Sequence, residues 1–360
     1  MKLLHIAPHH FQASGFVDHG STKDILGRRE YLDERGIENE LVRFNRKSGD
    51  IADALSALAS DNFTHILVDA SVDEPVWRFL RDRWPQARLG LRSHNSEIPH
   101  RRDTVRALRE WPYFKKLHRA LKNNIDVFGR RDIAAATYVD DILTIESGQA
   151  VQRYWRRLGF AGQVGYAPYF VASDYEQLIA AARRSIPKSP QRVLCVLSAH
   201  PGPLTDDSLV QFMRFVRASG VGGGGGWRFD AVGDVSREIS GHPSFTAAVR
   251  RLGVVDDLVA ELCDASAVAV LSDYGRGFKT KILDAILCGC WVLASPRLVA
   301  RLPDEVRPFC IAVDPTDDAA TRDALARSLV PPPTGTPNSS LRVQAFEALD
   351  RFFFGRPAAP

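Results

Sequence analysis

The densest set of residues able to bind a charged ligand lies between Leu271 and Ser295. Gly275 and Gly277 let the backbone pass close to a ligand. Lys279 and Lys281 bring positive charge to the predicted start of a helix, whose dipole already favours an anion there. Arg276 adds a guanidinium suited to bidentate contact with a diphosphate, and Asp284 a carboxylate able to accept ribose or sugar hydroxyls. On its own the loop also fits an ordinary strand–helix crossover with a solvated basic face. A second candidate pair is His94 and Glu97, at the end of a predicted strand. An imidazole there can hydrogen-bond a sugar or orient a hydroxyl, or simply be a satisfied structural residue, and Glu97 is a candidate general base.

Other polar residues read as structural. The pairs Asp140-Asp141, Asp206-Asp207 and Asp256-Asp257 have the spacing of helix caps and turns, so no metal site is expected. Cys288 and Cys290 are too few for zinc and are expected to pack a helix end. The five cysteines are odd in number and mostly sit in apolar runs, which points to reduced thiols in a cytoplasmic protein. His9 and His10 follow the first predicted strand and are placed to line a cleft.

The net charge of +4 names no partner, but its distribution is uneven. Ten Lys or Arg residues stand between 101 and 131 against Asp103, Glu110 and Asp126, with Trp111, Tyr113 and Phe114 interleaved. Such a stripe suits an anionic inner membrane leaflet bearing a lipid-linked acceptor, a polyanionic acceptor such as nucleic acid, or no partner at all, as a solvated helix face.

These residues need elements to position them. A chain of 360 residues, 45% hydrophobic and 25% charged, has the composition of a globular protein, which excludes disorder, collagen and coiled coil. At roughly 100–200 residues per domain it predicts two domains. The longest apolar runs, such as 267–271, fall short of the ~20 residues of a membrane span. Residues 1–5 lead straight into a strand without a signal-peptide pattern, so neither a span nor export is expected. Strands are predicted at 2–7, 40–44, 65–69, 88–93, 141–146 and 163–171. Helices alternate with them at 22–35, 51–60, 75–83, 101–123, 133–136 and 148–158. A linker at 173–191, with Pro187 and Pro190, precedes a second series. Its strands fall at 192–197, 227–232, 249–253, 267–271, 291–294 and 309–313, and its helices at 206–218, 255–263, 281–288, 318–328 and 341–353. The glycine tract at 222–226 reads as a surface turn. The expected architecture is α/β: two Rossmann-like doubly wound domains, 1–172 and 192–330, facing across a cleft, with 331–360 packing back on the first. Ligands of such sheets bind at the carboxyl ends of the strands.

The 271–295 stretch resembles the signature of the GT-B glycosyltransferases, glycosyltransferase family 4 in particular. That signature places an acid after a strand, a glycine-rich loop, a second acid eight positions on, then Ala and Gly before an apolar strand. Asp284-Ala285, Gly289 and Trp291 to Ser295 match its second half, while Arg276 stands at the first acid. The resemblance implies that Asp284 holds the donor ribose; the first acid's role does not carry over. Gly15, in the 15–20 loop, is similar to the family's loop beside acceptor and diphosphate. The 92–97 segment resembles the strand end whose His faces the donor sugar, which implies His94. The 255–262 segment is similar to the short helix contacting the base, which brings in Asp257, and 167–171 resembles the entry to the interdomain linker. The family's Arg and Lys after the first strand of the second domain are missing from 198–203, where His200 stands. Diphosphate charge would then fall to Arg276, Lys279, Lys281 and His200, with Gly277 and Phe278 completing the donor-binding set.

The resemblance implies transfer of a hexose from a nucleotide-diphosphate sugar to an acceptor hydroxyl, without metal or cofactor and with retention at the anomeric carbon. The expected location is cytoplasmic, with contact to the inner face of a membrane through 101–131. The alternatives are a nucleotide-sugar epimerase of the same fold, which Arg276 argues against, and a non-catalytic GT-B-like binding protein.

Overall fold

The computed structural model describes residues 1–8, 20–44, 54–56, 58, 62–109, 114–198, 202–221, 226–236, 239, 242 and 244–355. Two six-stranded sheets form the frame, and every strand pairing is parallel. The first contains β1 (Lys2–Pro8), β2 (Glu38–Phe44), β3 (His65–Asp69), β4 (Arg88–Ser93), β5 (Asp141–Thr144) and β6 (Gln163–Tyr166), in the order β2-β1-β3-β4-β5-β6. The second contains β7 (Ser189–Val196), β8 (Arg228–Val232), β9 (Val249–Gly253), β10 (Ala265–Val270), β11 (Trp291–Ala294) and β12 (Cys310–Ala312), in the order β12-β11-β10-β7-β8-β9. The strand direction of travel reverses between β1 and β3 in the first sheet and between β7 and β10 in the second. Loops diverge at those two points and leave crevices at the carboxyl ends.

Continuous apolar runs become the central strands because helices cover both faces. Ala265–Val270 is buried along its whole length. The first-half helices are α1 (Gly20–Glu34), α2 (Glu74–Arg83), α3 (Glu97–Ala107), α4 (Phe114–Tyr138) and α5 (Gln149–Arg157). Helix α6 (Ser173–Ser185) leads into the second half, where α7 (Pro203–Ser219), α8 (Leu258–Asp264), α9 (Lys281–Leu287), α10 (Pro296–Val299) and α11 (Asp318–Ser328) follow. The last helix, α12 (Asn338–Phe354), lies against the first sheet. There Phe352 occupies the space that a Cβ on Gly90 of β4 would need, at 2.7 Å. Tyr31 of α1 and Arg35 just after it both donate to Asp350, and Asn338 exchanges two hydrogen bonds with the backbone of Val171. One apolar cluster runs from Leu3 and Tyr31 through Tyr169 and Phe346 to Ile282 and Leu298, joining the two sheets.

The structure departs from the sequence reading in four segments. Residues 173–191, read as the linker between the halves, contain helix α6, whose inner face Tyr175 and Ile179 bury one turn apart, and the start of β7 at Ser189. The predicted helices at 101–123 and 133–136 are replaced by α3 and the 25-residue α4, since Ala134, Ala135 and Ala136 continue a buried helical face. Strand β6 stops at Tyr166, two residues before Pro168, which has no N–H for a ladder. Helix α8 starts at Leu258, capped by Asp257. The predicted helix at 51–60 lies largely outside the described residues, and four of the five residues of the glycine tract lie outside them altogether.

Candidate functional site

The 271–280 turn follows β10 and reaches the other half of the molecule. Ser272 anchors its base by donating to Asp207 Oδ2 at 2.5 Å. Gly277 has φ +83°, and a Cβ there would stand 2.4 Å from the Asn95 side chain and 2.5 Å from the carbonyl of His94. Only glycine lets this turn abut the end of β4. The Gly277 amide donates to Glu146 Oε1 at 2.8 Å, and the Arg276 amide to His100 Nδ1 at 3.0 Å. The Arg276 guanidinium lies 3.3 Å from Asp103, and Phe278 stacks on Tyr169 with ring centroids 5.7 Å apart. His100 must be neutral to accept that amide. Burial first, then Arg101, Lys279 and Arg276, push its pKa down to about 3.

Lys279 and Lys281 turn inward. The Lys279 ammonium donates to the Tyr274 carbonyl at 3.0 Å, and Lys281 donates to the Val196 carbonyl at the switch point of the second sheet. Burial, reinforced by Lys281 and Arg301, lowers the Lys279 pKa to about 7; burial lowers Lys281 as well. Neither is a fixed cation of the kind the sequence suggests.

Asp284, in the first turn of α9, is buried and pairs with Lys23 of α1, whose Nζ lies 2.7 Å from Asp284 Oδ2. The same ammonium meets the Tyr175 hydroxyl at 3.2 Å and lies 4.7 Å from that ring's centroid. Burial opposes its charge, but Asp284 and Tyr175 more than offset this and raise its pKa.

Next to Lys23, Asp24 is the hub of a buried charge cluster on the first sheet. Arg92 of β4 grips both its oxygens, at 3.0 and 2.7 Å, and Arg28 bonds it from one turn along α1. His94 Nε2 donates to its Oδ2 at 3.0 Å. Arg28 also reaches Asp69, 2.5 Å away, which His5 approaches at 3.0 Å. Despite burial, Arg28 and Arg92 hold Asp24 well below the usual carboxylate range. An ionised Asp24 only accepts, so His94 donates to it through Nε2 and Nδ1 is the other ring nitrogen, not engaged by Asp24.

Glu97 belongs to a different group. It opens α3, is buried, and bonds Arg101 Nε at 3.2 Å. Its amide donates to Asp132 Oδ2 at 3.2 Å, Tyr154 donates to the same oxygen, and Ser71 lies 2.5 Å from Asp132 Oδ1. Burial, with Glu97 nearby, pushes the Asp132 pKa up to about 7. Asp257 is exposed and caps α8, accepting the Ala260 amide at 2.9 Å.

The turn residues Arg276, Gly277 and Phe278 therefore meet the first half at His100 and Asp103, at the His94 carbonyl and at Tyr169, while Asp284 meets Lys23, one residue from the partner of His94. Gly15 and His200, with His9 and His10, lie outside the described residues. The sequence reading missed Lys23, Asp24, Arg92 and Glu146. The i,i+4 spacing of Asp24 and Arg28 at the start of α1 was the available signal. The five cysteines are free thiols. The adjacent Asp pairs serve structure: Asp206 binds Ser236, Asp207 binds Ser272 and Gln211, and Asp140 binds the Leu89 amide. Among the described residues no group of three or more His, Cys, Asp or Glu is assembled to hold a metal, and no helix is long and apolar enough to cross a membrane. In the basic stretch, Arg101 and Arg131 flank Phe128, at 3.9 and 5.2 Å from its centroid, and Arg131 pairs with Asp73. Trp111 and Tyr113 lie outside the described residues, as does the Phe114 side chain.

Residues 205–329 match the family model described as glycosyl transferases group 1. No curated protein matches the chain in sequence. Solved structures similar over nearly the whole chain include a trehalose-6-phosphate synthase at 12% identity and TM-score 0.61, covering 99% of this chain and 96% of that one. An E. coli trehalose-6-phosphate protein bound with UDP-2-fluoro glucose is similar at 11% identity and TM-score 0.58, with coverages of 99% and 96%. An α-glucosyltransferase in complex with UDP and a 13-mer DNA is similar at 14% identity and TM-score 0.56, with coverages of 98% and 95%. At these identities the likeness establishes the fold, and that fold is GT-B.

Proposed function

We propose that this protein is a glycosyltransferase that moves a hexose from a nucleotide-diphosphate sugar to an acceptor hydroxyl. The observation that carries the reading is the position of the 275–284 segment. It lies within the stretch similar to group 1 glycosyl transferases, and it puts Gly277 and Asp284 against His94, Glu146 and Lys23 of the first half. Two of the similar structures hold UDP-2-fluoro glucose or UDP, which supports a nucleotide-sugar donor.

Glycosyl transfer builds positive charge on the sugar ring and negative charge on the departing diphosphate, so a site must answer both. Asp284 offers its carboxylate to ribose hydroxyls. The negative charge of the diphosphate falls to the cations that border this segment. His94, held by Asp24, presents Nδ1 toward a sugar or acceptor hydroxyl. In this reading transfer is metal-independent and retains anomeric configuration, with the basic stretch of α3 and α4 available to an anionic acceptor or inner membrane face.

The test is a thermal-shift screen of nucleoside diphosphates, followed by transfer and donor-hydrolysis assays with and without chelator on wild type and Asp284→Asn. Selective stabilisation by one diphosphate, with turnover in wild type that Asp284→Asn loses, is the expected result. A protein that binds a diphosphate but turns over no donor would be a binding protein. Protection by no nucleotide would remove the reading.

A further inference from the structure

We infer that Lys23 is the diphosphate-binding cation of this site and that Asp284 is its partner only until donor ribose claims that carboxylate. The inference rests on the donor-binding reading above and adds a residue to it. Lys23 and Asp284 come from opposite halves, from the first turn of α1 and the first turn of α9, and both are buried. Two hydroxyls of a ribose accepted by Asp284 compete with an ammonium 2.7 Å from the same carboxylate. The diphosphate attached to that ribose would arrive within a few bonds of the displaced Lys23. Two anionic groups would then face each other in a buried site unless a cation stayed between them.

The neighbouring cations are committed elsewhere. Arg92 and Arg28 are each held by multiple bonds to Asp24 and Asp69. Lys279 and Lys281 face main-chain carbonyls, Arg276 faces Asp103, and Arg301 donates to the carbonyls of Gly275 and Asp273. Among the described residues the one charged partner of Lys23 is Asp284. Lys23 also stands near the amino end of the 15-residue α1, where the helix dipole disfavours a cation and favours an anion. A lysine there is locally unfavourable for the helix and becomes favourable once an anion sits between dipole and ammonium. The flexible stem of lysine allows the move, with Tyr175 bonding the ammonium from the side.

Calorimetric titration tests this on the full chain, using UDP, GDP and ADP to fix the base and then the matching nucleoside and diphosphate. Lys23→Met is expected to weaken diphosphate binding about tenfold or more, the worth of one charge-assisted hydrogen bond. Nucleoside binding should stay the same or tighten, because Asp284 has lost its competitor. Lys23→Arg should recover part of the diphosphate affinity. Lys23→Gln, which keeps a donor for Asp284 without the charge, carries the same expectation should Lys23→Met fail to fold. Equal changes for nucleoside and diphosphate, or none for either, would make Lys23 a strut between the halves and overturn the inference. If wild type binds none of the three diphosphates, the donor-binding reading itself falls, and this inference with it.

Discussion

His94 Nε2 and Asp24 Oδ2 lie 3.0 Å apart, across the switch point of the first sheet, and Arg28 and Arg92 hold the same carboxylate. The imidazole is thus set by a group that is itself immobile. His94 is partly exposed, whereas Asp24 is buried.

That asymmetry separates two substitutions. His94→Ala leaves Asp24 with both arginines, so stability should change by less than about 1 kcal/mol, while turnover falls about a hundredfold through loss of one positioned polar group. Asp24→Asn opposes amide hydrogens to guanidinium donors inside the fold and should cost about 3–5 kcal/mol of stability. Thermal melts beside initial rates make the comparison. Intact turnover in His94→Ala would leave the histidine as a structural partner of Asp24 alone.

The Lys23–Asp284 pair predicts a double-mutant cycle. Removing either partner strands a buried charge, and each single change, Lys23→Met or Asp284→Leu, should destabilise by about 3 kcal/mol or more. The double substitution should recover most of that loss, since methionine and leucine fill an interface already lined by Tyr169, Tyr175 and Ile282. Denaturant unfolding of the four proteins reads the coupling. Simple additivity would show that the pair contributes nothing as a pair.

Much of this arrangement could be read from the sequence, for a physical reason. Buried parallel strands such as 265–270 and 291–294 are continuous apolar runs, and Gly275, Gly277 and Asp284 lie within one short segment. Lys23, Asp24, Arg92 and Glu146 could not be read the same way, because their meaning arises only when β1, β4, β5 and α1 are brought together by the sheet. Lys279 and Lys281 show the converse. Their spacing suggested anion-gripping cations, but local geometry satisfies each ammonium with a backbone carbonyl. Helix α6 went unseen because Pro187 and Pro190 lie at its exit, where they end the helix and leave its interior intact.

Gly277→Ala tests the contact between the halves. A methyl group would have to enter space held by the Asn95 side chain and the His94 carbonyl, and φ +83° is itself strained for alanine. The turn must withdraw, breaking the Gly277–Glu146 hydrogen bond. The fold of each sheet should survive, with unfolding free energy lowered by about 1–3 kcal/mol. Nucleoside diphosphate affinity should drop about tenfold or more. Undiminished affinity in this variant would show that the turn takes no part in binding.

Asp132 makes stability depend on pH in a direction unusual for a carboxylate. Its pKa is raised, from 3.8 to about 7, chiefly by burial. Between those values the unfolded chain has lost the proton and the native protein still holds it, so this group's contribution to stability declines as pH rises from about 4 to 7 and is flat above that. By linkage the decline amounts to about 4 kcal/mol at most. Asparagine reproduces the protonated form: its oxygen can accept from Tyr154 and from the Glu97 amide, as Oδ2 does, and its NH2, like a carboxylic O–H, can donate to Ser71 once that hydroxyl turns from donor to acceptor. Asp132→Asn should therefore match wild type near pH 4 and exceed it at pH 8. Unfolding curves across that range would show a flatter profile for the variant, and parallel profiles would mean that Asp132 is ionised in the native protein throughout.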